Sequence, residues 1–173
     1  YFKNRARDLI NSACGIDESI VEASVSKNKC ISVSSTLAFD TNDSSIIKKF
    51  LLDMCNQVGL RAREDNSYAK TIAVTFKSSD FRDFSHQKKL VNPTNNTMDI
   101  YEKVLELYDE IDKNEKIRNL GVRLSDLVEK KNEQISIFNT AKDEHNDNIQ
   151  QVVDGINAKY KNTKIMPAVF YEK

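Results

Sequence analysis

Glycine is scarce in this chain. Four glycines in 173 residues leave no run from which a Gly-rich, phosphate-cradling loop can be built. Histidine is scarcer: His86 and His145 stand apart from each other and from any cysteine or carboxylate at metal-ligand spacing, so no metal site is expected. The three cysteines, Cys14, Cys30 and Cys55, are scattered and odd in number. That excludes a closed disulfide framework and points to mostly buried thiols in a reducing, cytoplasmic interior. No unbroken apolar run is long enough to span a bilayer, and no signal-peptide pattern is present. An excess of charge of one sign is also missing. Lys+Arg and Asp+Glu number 26 each, a balance that by itself speaks against a nucleic-acid binder.

The distribution of charge says more than the sum. From 61 to 91 basic residues prevail (Arg61, Arg63, Lys70, Lys77, Arg82, Lys88, Lys89), and from 97 to 115 acids do (Asp99, Glu102, Glu106, Asp109, Glu110, Asp112, Glu115). This pattern fits either one basic and one acidic face or an ordinary mixed surface.

Periodicity divides the chain into elements. Residues 1–13 read as a helix with Leu9, Ile10 and Ala13 apolar and Gly15 to end it, followed by a short turn over 17–21 and a linker over 23–29. Alternation over 29–37 (Ile31, Val33) predicts a half-buried strand. Asn42 or Asp43 then caps a helix carrying Ile46, Ile47, Phe50, Leu51, Met54, Cys55 and Val58 at spacings of three and four. Residues 68–77 alternate again (Ile72, Val74, Phe76), 78–84 read as a turn, and 85–91 return as an antiparallel partner. Asn92–Asn96 breaks the chain. Thr97 caps a helix with Met98, Tyr101, Val104, Leu105, Tyr108 and Ile111 apolar, and 116–127 alternates through Leu120, Val122 and Leu124. The order βαββαβ predicts an α+β fold, with helices covering one face of a four-stranded sheet. Beyond it lie a charged stretch over 129–133, the peptide Gln134–Phe138, a helix with the stripe Ile149, Val152, Val153, Ile156 and Tyr160, and an extended segment over 165–171.

The face opposite the helices would show Ser32, Ser34, Thr71, Ala73, Thr75, Lys77, Asn119, Gly121 and Arg123. These are small donors punctuated by cations, without the aromatics of a single-strand stacking sheet. Such a face suits phosphate contact with a duplex, and equally suits a solvated sheet with no ligand.

Several segments resemble the little-finger domain of Y-family translesion DNA polymerases. Lys29-Cys30-Ile31-Ser32-Val33-Ser34-Ser35-Thr36 is similar to that domain's opening strand, with Cys30 where serine is usual. Ala69–Val74 is similar to its second strand, Phe81 with 85–90 to its return strand, and Pro93-Thr94 to the usual connection. Lys116–Ser125, read as I-R-x-L-G-V-R-L-S, is similar to the closing strand and is the most specific match. Gly15–Val21 resembles the exit from the thumb domain of UmuC-like members. The resemblance implies three segments: a thumb remnant and linker (1–28), a DNA-binding little finger (29–128), and a clamp-binding peptide with a helical extension (129–173). On this reading the chain is a piece of a longer polymerase.

By the same resemblance, Lys29, Ser32, Ser34, Lys70, Thr71, Thr75, Lys77, Arg118, Asn119 and Arg123 would hold template-primer DNA by phosphate. The two arginines rank first for their bidentate forks. Strand alternation sets Arg118 and Arg123 on opposite faces unless the strand bulges. Gln134, Ile135, Ser136, Ile137 and Phe138 resemble the bacterial sliding-clamp-binding motif, with Ile137 and Phe138 as apolar anchors. No catalysis and no cofactor are expected here, since Mg²⁺ would belong to the absent palm domain. The rival readings are a pure protein-interaction module and a small α+β enzyme.

Overall fold

Each of the alternating segments has one apolar side, and the four meet that constraint together as one antiparallel sheet. The computed structural model describes residues 5–20, 27–111, 115–129, 141–160, 165 and 168, with the backbone alone over 141–147. In chain order the elements are α1 (Ala6–Ala13), β1 (Cys30–Thr41), α2 (Ser44–Glu64), β2 (Ser67–Ser78), β3 (Asp83–Thr94), α3 (Thr97–Asp109), β4 (Ile117–Glu129) and α4 (Ala141–Lys159). The strand order is β1-β4-β2-β3, with every neighbouring pair antiparallel. The closing strand β4 therefore sits inside the sheet, between β1 and β2.

The core lies between the sheet and the pair α2 and α3. Ile31, Ile72, Val74, Phe76, Leu120, Val122 and Leu124 point into it from the strands. They meet Ile47, Leu51, Met54, Cys55 and Val58 of α2, and Ile100, Val104, Leu107 and Tyr108 of α3. Each such side chain contributes about 1.5–3 kcal/mol by leaving water. The Phe76 and Tyr108 rings pack at 6.0 Å between centroids.

The helix faces differ in part from the sequence expectation. Phe50 and Met98 are exposed, whereas Leu52, Ile100 and Leu107 are buried. In α3 two apolar stripes run side by side, and the one facing the sheet wins. The Asp43 carboxylate caps α2 by accepting the N–H groups of Ser45 (2.8 Å) and Ile46 (3.4 Å). At α3 the cap is Asn96 rather than Thr97. Asn96 is still extended (ψ 130°), so its Oδ1 reaches the Met98 N–H at 2.9 Å.

Other expectations shift as well. The Asn92–Thr94 break lies within β3, because the register jumps from Thr71↔Lys89 to Ala69↔Thr94. Residues 90–93 bulge from this edge strand and accommodate Pro93. Residues 17–20 form no further helical element, although the Asp17 carboxylate accepts the Ser19 N–H at 2.8 Å. Cys55 is buried, and burial pushes its thiol pKa far up, but Cys14 and Cys30 are exposed. The expectation of mostly buried thiols is thus corrected. Most of the 165–171 segment lies outside the described residues.

The basic and acidic stretches meet in part: Lys88 pairs with Glu106 at 2.7 Å, Arg82 with Glu115 at 2.7 Å, and His86 Nδ1 lies 3.4 Å from Glu110. Glu106 also accepts from Lys103 at 2.6 Å. The Lys103 hydrogen bond, then that of Lys88, holds the Glu106 carboxyl below its ordinary value of 4.5. A carboxyl lowered on folding stabilises the fold above its ordinary value, and that contribution fades as pH falls through the lowered one. Glu106→Gln should therefore give a flatter acid limb when melting temperature is plotted against pH. The group is solvent-exposed, so the change is small.

The helix α4 is tied back onto the body by Arg63 of α2, whose Nε lies 2.5 Å from the Asp154 carboxylate. Val153 and Ile156 are half-buried, while Ile149, Val152 and Tyr160 are exposed. Among the described residues, no helix is long and apolar enough to cross a membrane.

Candidate nucleic-acid interface

Strand register converts the alternation of the sequence into rows across the open face. They read Cys30–Ser125–Thr71–Lys89, Ser32–Arg123–Ala73–Gln87, Ser34–Gly121–Thr75–Ser85 and Thr36–Asn119–Lys77–Asp83. Apart from Arg123, Lys77, Lys89 and Gln87, these side chains are short, so the surface is low. Gly121 makes it lowest near the middle, since a Cβ there would lie 2.5 Å from Thr75 Oγ1 and 3.2 Å from Ser34 Cβ.

The candidate residues fall into distinct positions on this face. Ser32, Ser34, Thr75 and Arg123 are exposed, and Lys77 and Asn119 are half-buried. Thr71 is only 7% exposed, and its hydroxyl donates to Asp126 at 2.6 Å, so that donor is already committed. Lys70 is half-buried and lies with Thr71 between the core residues Ala69 and Ile72, where the β2–β3 register shifts, and Lys29 precedes β1 on an exposed bend. Lys77 lies 3.3 Å from Asp83, and Asn119 donates to Thr36 Oγ1 at 3.2 Å. Arg123 makes no ion pair or hydrogen bond among the described residues. Its exposed guanidinium stands near the middle of the face, between Ser32 and Ala73.

Arg118 reaches the same side through an irregularity in β4. The register passes from Asn119 to Ile117 on both flanks, skipping Arg118. Ile117 and Leu120 both point into the core, three positions apart, so Arg118 and Asn119 together fall outside it. This is the bulge that alternation required for Arg118 to join Arg123. The Arg118 guanidinium lies 3.6 Å from the Asp40 carboxylate and 5.0 Å from the centroid of the Phe81 ring.

Some exposed residues at or beside the open face were absent from the sequence reading of it. Lys89 and Gln87 follow from the alternation of β3 once its partner is known, and the exposed Phe81 ring follows from no periodic signal. The peptide Gln134–Phe138 lies outside the described residues. The described arrangement is a low sheet of hydroxyl, amide and guanidinium donors, the chemistry that binds phosphate oxygens without reading bases.

The chain matches the model of the impB/mucB/samB family C-terminal domain over residues 28–137. It is 38% identical over 172 residues to DNA polymerase IV of Clostridium acetobutylicum, covering 99% of this chain and 43% of that protein. It is 37% identical over 173 residues to DNA polymerase IV of Alkaliphilus oremlandii, covering 93% of this chain and 43% of that protein. The chain thus spans less than half the length of these relatives. Among solved structures, a Y-family DNA polymerase chimera has a TM-score of 0.54 at 23% identity, over 73% of this chain and 36% of that one. The little finger domain of PolIV, in a complex with the beta-clamp processivity factor, has a TM-score of 0.50 at 17% identity, over 63% of this chain and 98% of that one. At these identities the likeness is one of fold.

Proposed function

Because the chain belongs to the impB/mucB/samB C-terminal domain family and carries the little-finger fold of Y-family polymerases, we propose that its open sheet face holds template-primer DNA through sequence-independent phosphate contacts. The longer protein would be a translesion DNA polymerase acting in damage bypass within the cytoplasm. This chain would supply grip rather than catalysis, and any Mg²⁺ would be held by palm residues elsewhere. Residues 29–128 would form the DNA-binding unit, 1–28 the exit from the thumb, and 129–173 the clamp-binding extension. The observation that carries the reading is Arg123, an exposed cation with no ion pair or hydrogen bond among the described residues, on a low face of donors.

Fluorescence anisotropy of a labelled duplex, titrated with the chain across a salt series, tests it. Phosphate neutralisation gives a log–log slope of about −0.9 per contact, so Arg123→Ala should lower the slope by about one such unit. Arg123 is exposed and makes no ion pair or hydrogen bond among the described residues, so the variant should fold as the parent does. Binding that ignores salt, or an Arg123→Ala chain that binds like the parent, would sink the proposal.

A second reading joins the first. Residues 134–138 would dock on a sliding clamp, with Gln134 at the pocket mouth, Ile135 and Ser136 as spacer, and Ile137 and Phe138 as anchors. The motif's spacing supports this, as does the likeness in fold to a domain solved with a clamp. A peptide spanning 130–140 should compete with the chain for the clamp, and the same peptide with Phe138→Ala should not.

A further inference from the structure

We propose that Phe81 and Arg118 form a stacking site for an unpaired nucleobase, at the end of the sheet where β2 turns into β3. The proposal rests on the reading of the open face as a duplex-phosphate surface, and extends it to a single strand continuing from a duplex end.

Phe81 occupies a position at odds with its chemistry. Its φ is +62°, in the left-handed region where glycine or asparagine fits readily and a bulky ring does not. The strain is not offset by burial, because Phe81 is 64% exposed. The turn itself enforces the conformation. The Phe81 N–H donates to the Ser78 carbonyl at 3.0 Å, the Ser78 N–H to the Arg82 carbonyl at 2.9 Å, and the Arg82 N–H to Ser78 Oγ at 3.2 Å. A large flat ring is thus held out in water at a place where a small residue would be more stable.

Beside the ring stands a cation. The Arg118 guanidinium lies 5.0 Å from its centroid, brought there by the β4 bulge and steadied by Asp40 at 3.6 Å. A cation on one side of an aromatic ring leaves the rest of its π surface for another flat partner. A nucleobase fits because every base has a π face and stacks on aromatic rings whatever its identity. Asn119, next to Arg118 in the chain, and Lys77, its register partner, stand at the same end of the sheet and supply donors for the phosphate of that nucleotide. The site is continuous with the phosphate face, so a strand running off the duplex meets it without crossing the helix layer.

The test uses the whole chain at fixed low salt and two probes. One is a blunt duplex, and the other is the same duplex with a short 5′ extension containing 2-aminopurine. The expected result is that the extended duplex binds about tenfold more tightly, with quenched 2-aminopurine fluorescence. Phe81→Leu, which keeps apolar bulk but no flat ring, should lose both the preference and the quenching while binding blunt duplex unchanged. Phe81→Gly should lose them too and raise the melting temperature, a sign opposite to that of a structural ring. Equal binding of both duplexes by the parent chain, or a preference that survives in Phe81→Leu, overturns the stacking site and leaves the phosphate reading intact. Absence of binding to either duplex overturns the phosphate reading and the stacking site with it.

Discussion

Gly121→Val is expected to lower stability to chemical denaturation by about 1–3 kcal/mol or more, the range for forcing extra carbon into a filled space, and Thr75→Ala should return part of that loss. The prediction follows from register. Gly121 pairs with Ser34 on one side and Thr75 on the other, and β4 is flanked by both strands, so it cannot bow outward as an edge strand can. A Cβ would sit 2.5 Å from Thr75 Oγ1, 3.2 Å from Ser34 Cβ and 3.5 Å from the Val33 carbonyl. The first contact is a side-chain atom that Thr75→Ala deletes. The others belong to β1 and remain, which is why rescue should be partial. A double-mutant cycle by urea denaturation measures the coupling between the two sites. Strictly additive effects would show that Thr75 does not fill the space left by the glycine. The same row lies in the middle of the open face, so a branched side chain there should also hold the proposed duplex away from Ser34 and Thr75.

The parts of this fold that were legible in the sequence are those decided by local period. Ile31, Ile72, Val74, Phe76, Leu120, Val122 and Leu124 alternate, and all point into one core, because a strand has only two faces to choose between. The same alternation set Ser32, Ser34, Thr75 and Arg123 opposite the core, and also set Cys30 there, against the compartment argument for mostly buried thiols. What stayed illegible depends on partners distant in the chain. The Arg118 bulge exists only where β4 is matched to both β1 and β2. Thr71 looks like a free donor until β4 brings Asp126 to its hydroxyl. A tally of charge along the chain counted Arg82 and Lys88 as basic surface, whereas the α3 side neutralises them with Glu115 and Glu106. In α3, Met98, Tyr101 and Leu105 compete with Ile100, Val104 and Leu107 at the same helical spacing, and only packing against the sheet selects the second set.

Arg63→Ala is expected to release α4 while leaving the sheet folded. The contact joins residues 91 apart in the chain, and the structure commits several groups to it. The Arg63 Nε and Nη2 donate to the two Asp154 carboxylate oxygens at 2.5 and 3.3 Å, and its Nη1 donates to the Asn95 carbonyl at 2.5 Å. The side chains are 13% and 21% exposed, so water screens the pair only partly. Truncating one partner of a fully buried pair costs about 3–5 kcal/mol. With this residual exposure about 2 kcal/mol is a fair expectation, roughly 30-fold in the equilibrium for lifting α4. Amide hydrogen exchange should report it as lost protection over 148–159, with the β2 and β4 amides unchanged. Arg63→Lys should fail to restore protection, because a single ammonium cannot serve the carboxylate and the carbonyl in the geometry of the fork. Gly59→Ala should weaken the same contact from behind, since its Cβ would lie 3.0 Å from Arg63 Nη1 and 3.1 Å from Thr97 Oγ1. Unchanged protection in Arg63→Ala would mean that the half-buried Val153 and Ile156 hold the helix, and that the ion pair only orients it.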